Sequence, residues 1–430
     1  MAATRFGFPY WQLQFDDSGK PDAYQKATLL REVPEQKLRH LFVFSHGWNN
    51  TVAVAEDLYS RFFQQVATVL KLRGVPTRGA GIAGVIWPSI RWADEAVTVT
   101  GRRAAAAARG PRPQKSDADL ILDLKAVFTK KKQRAAIDAM ARLLETRPKD
   151  PREYARFQKL MAVLAPQSLA VEDNGEHALL TQPPDAVFKQ MASGASRTRR
   201  AAAGGLADFT WDGAREAARA LTYWTMKERA GVVGQKGLGP LIAALANADE
   251  ALKVHLLGHS FGARLVSFAL AGLPAAATGK KSPVKSLVLL QGAFSHFAFA
   301  DTLPHDRSRG GALKGMASRV DGPILVTHSR KDTAVSEFYP QASFVRRQDS
   351  AAIGRTISRW GAMGGFGAQA VNASELSFAN VGAPYQFQPG RFFNLDGNTL
   401  IVNGDPPAGA HSDIVYDRIA WAVIAAAGIA

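Results

Sequence analysis

The chain has 430 residues, 47% of them hydrophobic and 9% aromatic, the composition of a folded globular protein and not of a disordered or fibrous one. Cysteine is absent, which excludes a disulfide framework, a thiolate nucleophile and a cysteine-ligated zinc site. The net charge is +16, and residues 101–200 carry twenty basic against eleven acidic residues, +9 of that surplus. Such an excess favours anionic partners such as phospholipid headgroups or nucleic acid. No nucleic-acid-binding motif accompanies it, so nucleic acid is not the expected partner.

The N-terminal stretch MAATRFGFPYWQLQFDD lacks the continuous apolar core of a secretory signal. Residues 419–430 are apolar but too few to span a bilayer. The expectation is a cytoplasmic protein, although export by a signal-independent route leaves no mark in a sequence.

Taken in chain order, WQLQF alternates apolar and polar residues as a strand does, and Asp-Ser-Gly then breaks it. Residues 41–44, in RHLFVFSHG, form a short wholly apolar run, the mark of a strand buried on both faces. Leu58, Phe62, Val66 and Leu70 recur at helical spacing within 56–72, and Gly74 and Pro76 end that helix. Residues 82–87 read as a second buried strand.

An interruption follows over 101–204. It opens with GRRAAAAARGPRPQK and closes with SGASRTRRAAAGG, both poor in large apolar residues and read as loose flanks. Between them, 118–145 and 153–164 read as helices separated by RPKDP. The expected organisation is one domain made of 1–100 and 205–430, carrying a basic, mostly helical insertion or cap.

The alternation then resumes. Helices are expected over 212–230 and 240–247 with a Gly-rich turn, GVVGQKGLG, between them. Strands are expected over 254–258, 285–291, 323–327 and 399–402. A helix over 262–271 directly follows the first of these, and another, over 414–426, closes the chain. Strands alternating with helices predict an α/β fold, a mostly parallel sheet covered by helices on both faces.

The chemistry concentrates in LKVHLLGHSFGARLVSFAL. Residues 258–262, GHSFG, match the G-x-S-x-G nucleophile elbow, with an apolar strand entering and an apolar-periodic helix leaving. The serine of an elbow sits on a strained turn, so Gly258 and Gly262 supply the clearance it needs. Ser260 is the candidate nucleophile, and it needs a base and an acid later in the chain.

Of nine histidines, His296, His305, His328 and His411 follow Ser260. His411 lies in a Pro/Gly loop before the closing helix, with Ser412 and Asp413 as the helix start, and is the candidate base. Asp332 follows the strand PILVT and is the candidate acid, with Asp301, after the preceding strand, as its rival. The oxyanion hole is assigned to the backbone N–H groups of Phe261 and Trp48, the latter aimed by Gly47 in FSHGWNN. His46 and His259 are expected as walls of the site and His255 as a satisfied core residue.

Together with HGWN (46–49) and WPS (87–89), these residues resemble the α/β-hydrolase superfamily. More narrowly they look like bacterial serine esterase/lipase-like proteins with an HG-[YW]-N loop and a W-P-S strand end. The resemblance covers roughly 40–100 and 205–430, not the insertion, and the gap between Asp332 and His411 is long for it. It implies the α/β-hydrolase fold, hydrolysis of a carboxylic ester or lipid-like small molecule through an acyl-enzyme, and no metal or organic cofactor. Alternatives are a phospholipase using the basic insertion on an anionic membrane, an amidase, peptidase or thioesterase with the same triad, and a binding protein with a relic site. For the membrane reading, Leu120, Leu124 and Phe128 would form an apolar face beside Lys130–Lys132.

Overall fold

The computed structural model describes residues 3–89, 116–165, 178–195, 206–337, 361–405 and 408–429. Among these residues nine strands build one sheet: β1 (Ala3–Arg5), β2 (Phe8–Gln14), β3 (His40–Ser45), β4 (Ala80–Ile86), β5 (Lys253–His259), β6 (Val284–Leu290), β7 (Ile324–His328), β8 (Ala373–Ser377) and β9 (Phe392–Asp396). Their order is β1-β2-β4-β3-β5-β6-β7-β9-β8; β1 and β2 pair antiparallel and the other described pairings are parallel. The wholly apolar runs at 41–44 and 82–86 are central parallel strands, as their lack of alternation requires.

Each central strand feeds two cores at once. Leu41, Val43, Val254 and Leu256 face one, while Phe42, Phe44 and Leu257 face the other. Burying each such side chain contributes about 1.5–3 kcal/mol, which is why these positions are large and apolar.

The helices cover both faces. In chain order they are α1 (Ala23–Glu35) and α2 (Val52–Leu72), then α3 (Asp117–Val127), α4 (Lys131–Thr146), α5 (Pro151–Leu164) and α6 (Pro184–Ala195) of the insertion. There follow α7 (Leu206–Val232), α8 (Gly239–Ala248), α9 (Phe261–Ala271) and α10 (Asp417–Ala427). Helices α2 and α10 pack on the Phe42/Phe44 side through Tyr59, Phe62, Phe63, Trp421 and Ile424. The opposite face receives α1, α7, α8 and α9, and the insertion joins the same core through Ile137, Phe157 and Phe188, which meet Trp211 of α7 there.

Several expectations are corrected. The helix expected over 118–145 is two: Phe128 is extended and buried, and Lys130 starts α4 afresh. Leu120, Leu124 and Phe128 are each at most 3% exposed, so the face assigned to a membrane is packed inside the helical layer, and Leu122, at 66%, is what the helix exposes. Lysines at the start of α4 oppose the helix dipole, so burial of Ile137, Met140 and Leu144 holds this helix. The two Ala/Arg-rich flanks fall at 101–115 and, beyond Ala195, at 196–205, outside the described residues.

At 399–402, TLIV forms a turn, not a strand: the Leu400 and Ile401 amides donate to the Gly397 carbonyl, and β9 is the preceding FFNLD. The Gly-rich segment 233–238 is no turn either. It is a π-helical run that carries α7 directly into α8. Its glycines serve contact: a Cβ on Gly234 would stand 2.1 Å from the Leu265 carbonyl oxygen of α9. Among the described residues no helix is long and apolar enough to cross a membrane.

Gly234→Ala should therefore cost stability, by about 1–3 kcal/mol, because α9 must retreat. A urea unfolding curve checks this, with an unchanged midpoint as the contrary outcome.

Candidate active site

Loops leaving adjacent parallel strands converge at the carboxyl edge of a sheet, and here the strand ends lie level. Ser45 pairs with both Gly258 and Val85, and His259 pairs with Leu290. Ser260 leaves β5 at φ 59° and ψ −122° and begins α9, a backbone conformation that costs an L residue free energy. Glycine on either side makes the turn possible. A Cβ on Gly258 would stand 2.3 Å from the Gly262 carbonyl oxygen, and one on Gly262 would stand 2.0 Å from that of Ser45.

His411 lies in the short 3₁₀ turn Gly409–Ser412 before α10. Its Nε2 is 2.8 Å from Ser260 Oγ, and its Nδ1 is 2.9 and 3.1 Å from the Asp332 carboxylate. A carboxylate only accepts, so Nδ1 carries the proton and Nε2 offers its lone pair to the serine hydroxyl. Asp332 is 1% exposed. The two loops are tied together by Ala410 N–H to the Lys331 carbonyl and Ala334 N–H to the Ala408 carbonyl, each at 3.0 Å.

The rival residues lie elsewhere. Asp301 is exposed and has no contact with His411 among the described residues. His328 lies 3.3 Å from Glu375, His305 is exposed, and His296 is buried against Phe297. His255 is a satisfied core residue, bonded to Ser286 Oγ at 2.9 Å and to His40 at 3.0 Å.

The HGWN loop sits directly over Ser260: a Cβ on Gly47 would stand 2.6 Å from Ser260 Cβ and 3.1 Å from its Oγ. The Gly47 carbonyl accepts from His46 Nδ1–H at 2.8 Å and from Asn50 Nδ2 at 3.2 Å. In a planar trans peptide the carbonyl of residue 47 and the N–H of residue 48 point in opposite directions. Holding the first therefore aims the second. His46 is held in turn by Tyr59, whose hydroxyl accepts the His46 N–H at 2.9 Å and donates to the Val85 carbonyl at 2.5 Å. Trp87 of the WPS strand end stacks on the His46 ring and donates to the His46 carbonyl at 3.0 Å. Neither the Trp48 nor the Phe261 amide has a hydrogen-bond partner among the described residues. Tyr223 of α7 packs its ring on both side chains, bringing the helix that follows the insertion to the site.

His259 stands beside His411, ring centroids 4.9 Å apart, and donates from Nε2 to the His411 backbone carbonyl at 2.8 Å. Burial holds both flanking imidazoles neutral. It lowers His46 to about 4 and, with the added effect of His411 nearby, His259 to about 3.

Sequence reasoning missed Gln291, Asn50 and Tyr59. Gln291 had a signal, a polar residue ending the buried strand SLVLLQ at the carboxyl edge, and its side chain meets Asp332. Tyr59 had none, because it sits at core spacing in α2. Asp413 is no helix cap: it accepts from the Val402 and Asn403 amides, while α10 starts at Asp417. Among the described residues no cluster of His, Cys, Asp and Glu could hold a metal ion.

Comparison with protein-family models, curated proteins and solved structures gives no match.

In the unfolded chain His46 and His259 take up protons near their ordinary value of 6.5, whereas folded they do so only near 4 and 3. Stability is thus complete above about pH 6.5 and declines as pH falls from there toward 4. Urea midpoints measured across this range should drop, and the two ring resonances should not titrate above about pH 5 in an NMR titration.

Proposed function

We propose that this chain is a serine hydrolase of the α/β-hydrolase fold that cleaves carboxylic esters through an acyl-enzyme. One observation carries the reading: a serine in strained elbow geometry, 2.8 Å from an imidazole whose other nitrogen meets a buried carboxylate at 2.9 Å. The mostly parallel sheet, with the elbow leaving its middle strand, supports the fold assignment.

The mechanism follows from the hydrogen bonds. Ser260 Oγ attacks the carbonyl carbon of the ester and its proton passes to His411 Nε2. Asp332 stabilises the imidazolium that forms. The developing oxyanion is received by the Phe261 and Trp48 amides. Collapse transfers the proton to the leaving alcohol, and water, deprotonated by the same imidazole, then releases the acid. A carboxylic ester or lipid-like small molecule is the expected substrate. The apolar faces of α3 are used inside the protein, so a role for the basic insertion on an anionic membrane gains no support from them.

A fluorophosphonate probe should label Ser260, located by peptide mapping, and Ser260→Ala should abolish labelling. His411→Ala and Asp332→Asn should each lower hydrolysis of a short p-nitrophenyl ester by about 10⁴-fold, while Asp301→Asn leaves it unchanged. Labelling that survives Ser260→Ala would falsify the assignment.

Gly47→Ala should lower turnover by about 10²-fold or more, because the added methyl displaces either the nucleophile or the amide beside it. Steady-state kinetics at native circular dichroism checks this. An unchanged kcat removes the loop from the oxyanion role.

A further inference from the structure

We infer that Gln291 is a positioning residue for the acid: its side-chain amide clamps the Asp332 carboxylate in register with His411. This rests on the serine-hydrolase reading above.

Gln291 is the first residue beyond β6, fully buried, and held at φ 46°, in the left-handed region that favours glycine. A non-glycine residue kept there needs a reason, and its hydrogen bonds supply one. Its Nε2 donates to Asp332 Oδ2 at 2.9 Å and to the Gly364 carbonyl at 3.0 Å. Thr327 Oγ1 donates to its Oε1 at 2.8 Å and accepts its backbone N–H at 3.0 Å. Carboxylate and carbonyl oxygens only accept, so the amide has one possible orientation.

Asp332 therefore receives His411 Nδ1–H, the Gln291 amide and, at 3.3 Å, the Val335 N–H. Donors converging on a buried carboxylate from different elements fix its plane. The single turn Met363–Phe366 closes the cage. Its Gly364 carbonyl also accepts the Ser329 N–H at 2.9 Å, and a Cβ on Gly364 would stand 2.9 Å from Gln291 Cα. The Gly-rich run between Asp332 and His411 is thus the far wall of the acid's cage.

Gln291→Met, close in volume, removes both amide donors. The expected result is a kcat about 10- to 100-fold lower at unchanged KM, because the imidazolium–carboxylate pair that the clamp supports forms only on the way to the transition state. Gln291→Glu distinguishes a clamp from mere packing. A protonated carboxyl at 291 still donates to Asp332. Once ionised it cannot donate and repels its neighbour, and that neighbour raises the pH at which it ionises. Among the described residues, the ionisable groups bonded into this network are Asp332 and His411, with the neutral His259 ring beside the latter. The kcat profile of Gln291→Glu should consequently fall on its alkaline side where the unsubstituted protein shows no fall. Thr327→Val approaches from the other end: it releases Oε1 and should lower kcat in the same direction by less.

A Gln291→Glu profile parallel to that of the unsubstituted protein, or an unchanged kcat in Gln291→Met, overturns the clamp. If Gln291→Met does not fold, the Gln291→Glu profile and Thr327→Val, both read where circular dichroism is native, decide the matter. Fluorophosphonate labelling of the unsubstituted protein separates the two possible failures. Without labelling at Ser260 the hydrolase reading fails and takes the clamp with it. With labelling and parallel profiles, the clamp alone fails.

Discussion

A serine held at φ 59° and ψ −122° costs about 1–3 kcal/mol of backbone strain, and the surrounding contacts must hold it there. Its amide donates to the Leu290 carbonyl and its own carbonyl accepts from Ala263 and Ala293, while Leu265, Val266, Ala269 and Leu270 bury α9 against the sheet. Positions on three other loops follow from this one turn. The Ser45 and His46 carbonyls leave no room for a Cβ on Gly262, nor Ser260 for one on Gly47, so the elbow fixes where the HGWN loop lies. The bond to Leu290 fixes the end of β6 and with it Gln291, which reaches Asp332. Ser260 is therefore the point from which the Trp48 amide and Asp332 are both placed.

What was legible in the sequence was what short-range chemistry dictates. GHSFG and HGWNN each carry their geometry in consecutive residues, and central parallel strands announce themselves as unbroken apolar runs. Elements whose identity depends on distant partners were not legible. FFNLD is less uniformly apolar than TLIV, yet pairing with β7 makes the first a strand and the second is a turn. ASELS is polar on most positions because β8 lies at the sheet edge, so it gave no strand signal. GVVGQKGLG reads locally as a turn, yet contact with α9 keeps it helical. For Gln291 the partners lie 36, 41 and 73 residues away, beyond any local pattern.

The insertion illustrates the same division. Composition marked it as basic and helical, but could not say where its apolar faces turn. They turn inward: Phe157 packs edge-on against Phe188 and against Trp211 of α7, continuous with the core under the sheet. Helix α7, 27 residues and about 40 Å long, then runs from that core to the site. There Tyr223 meets Trp48 and Phe261, and Arg229 donates to the Pro88 carbonyl of the WPS strand end at 2.8 Å. The insertion is thus mechanically joined to the loop beside Ser260, while the lysines at 130–132 stay on the solvated face.

Three imidazoles crowd this edge of the sheet, and their environments divide the work among them. An imidazolium at His411 must form and vanish in each turn of the proposed reaction, which requires the Asp332 carboxylate on its far nitrogen. A second positive charge on His259, 4.9 Å away, would oppose that step by like-charge repulsion. Burial prevents it, holding His259 at about 3, and its neutral Nε2–H spends its one donor on the His411 carbonyl. His46, at about 4, does the same for the Gly47 carbonyl. Desolvation thereby turns two bases into neutral hydrogen-bond donors that shape the backbone. The imidazole beside the carboxylate is left to take the proton.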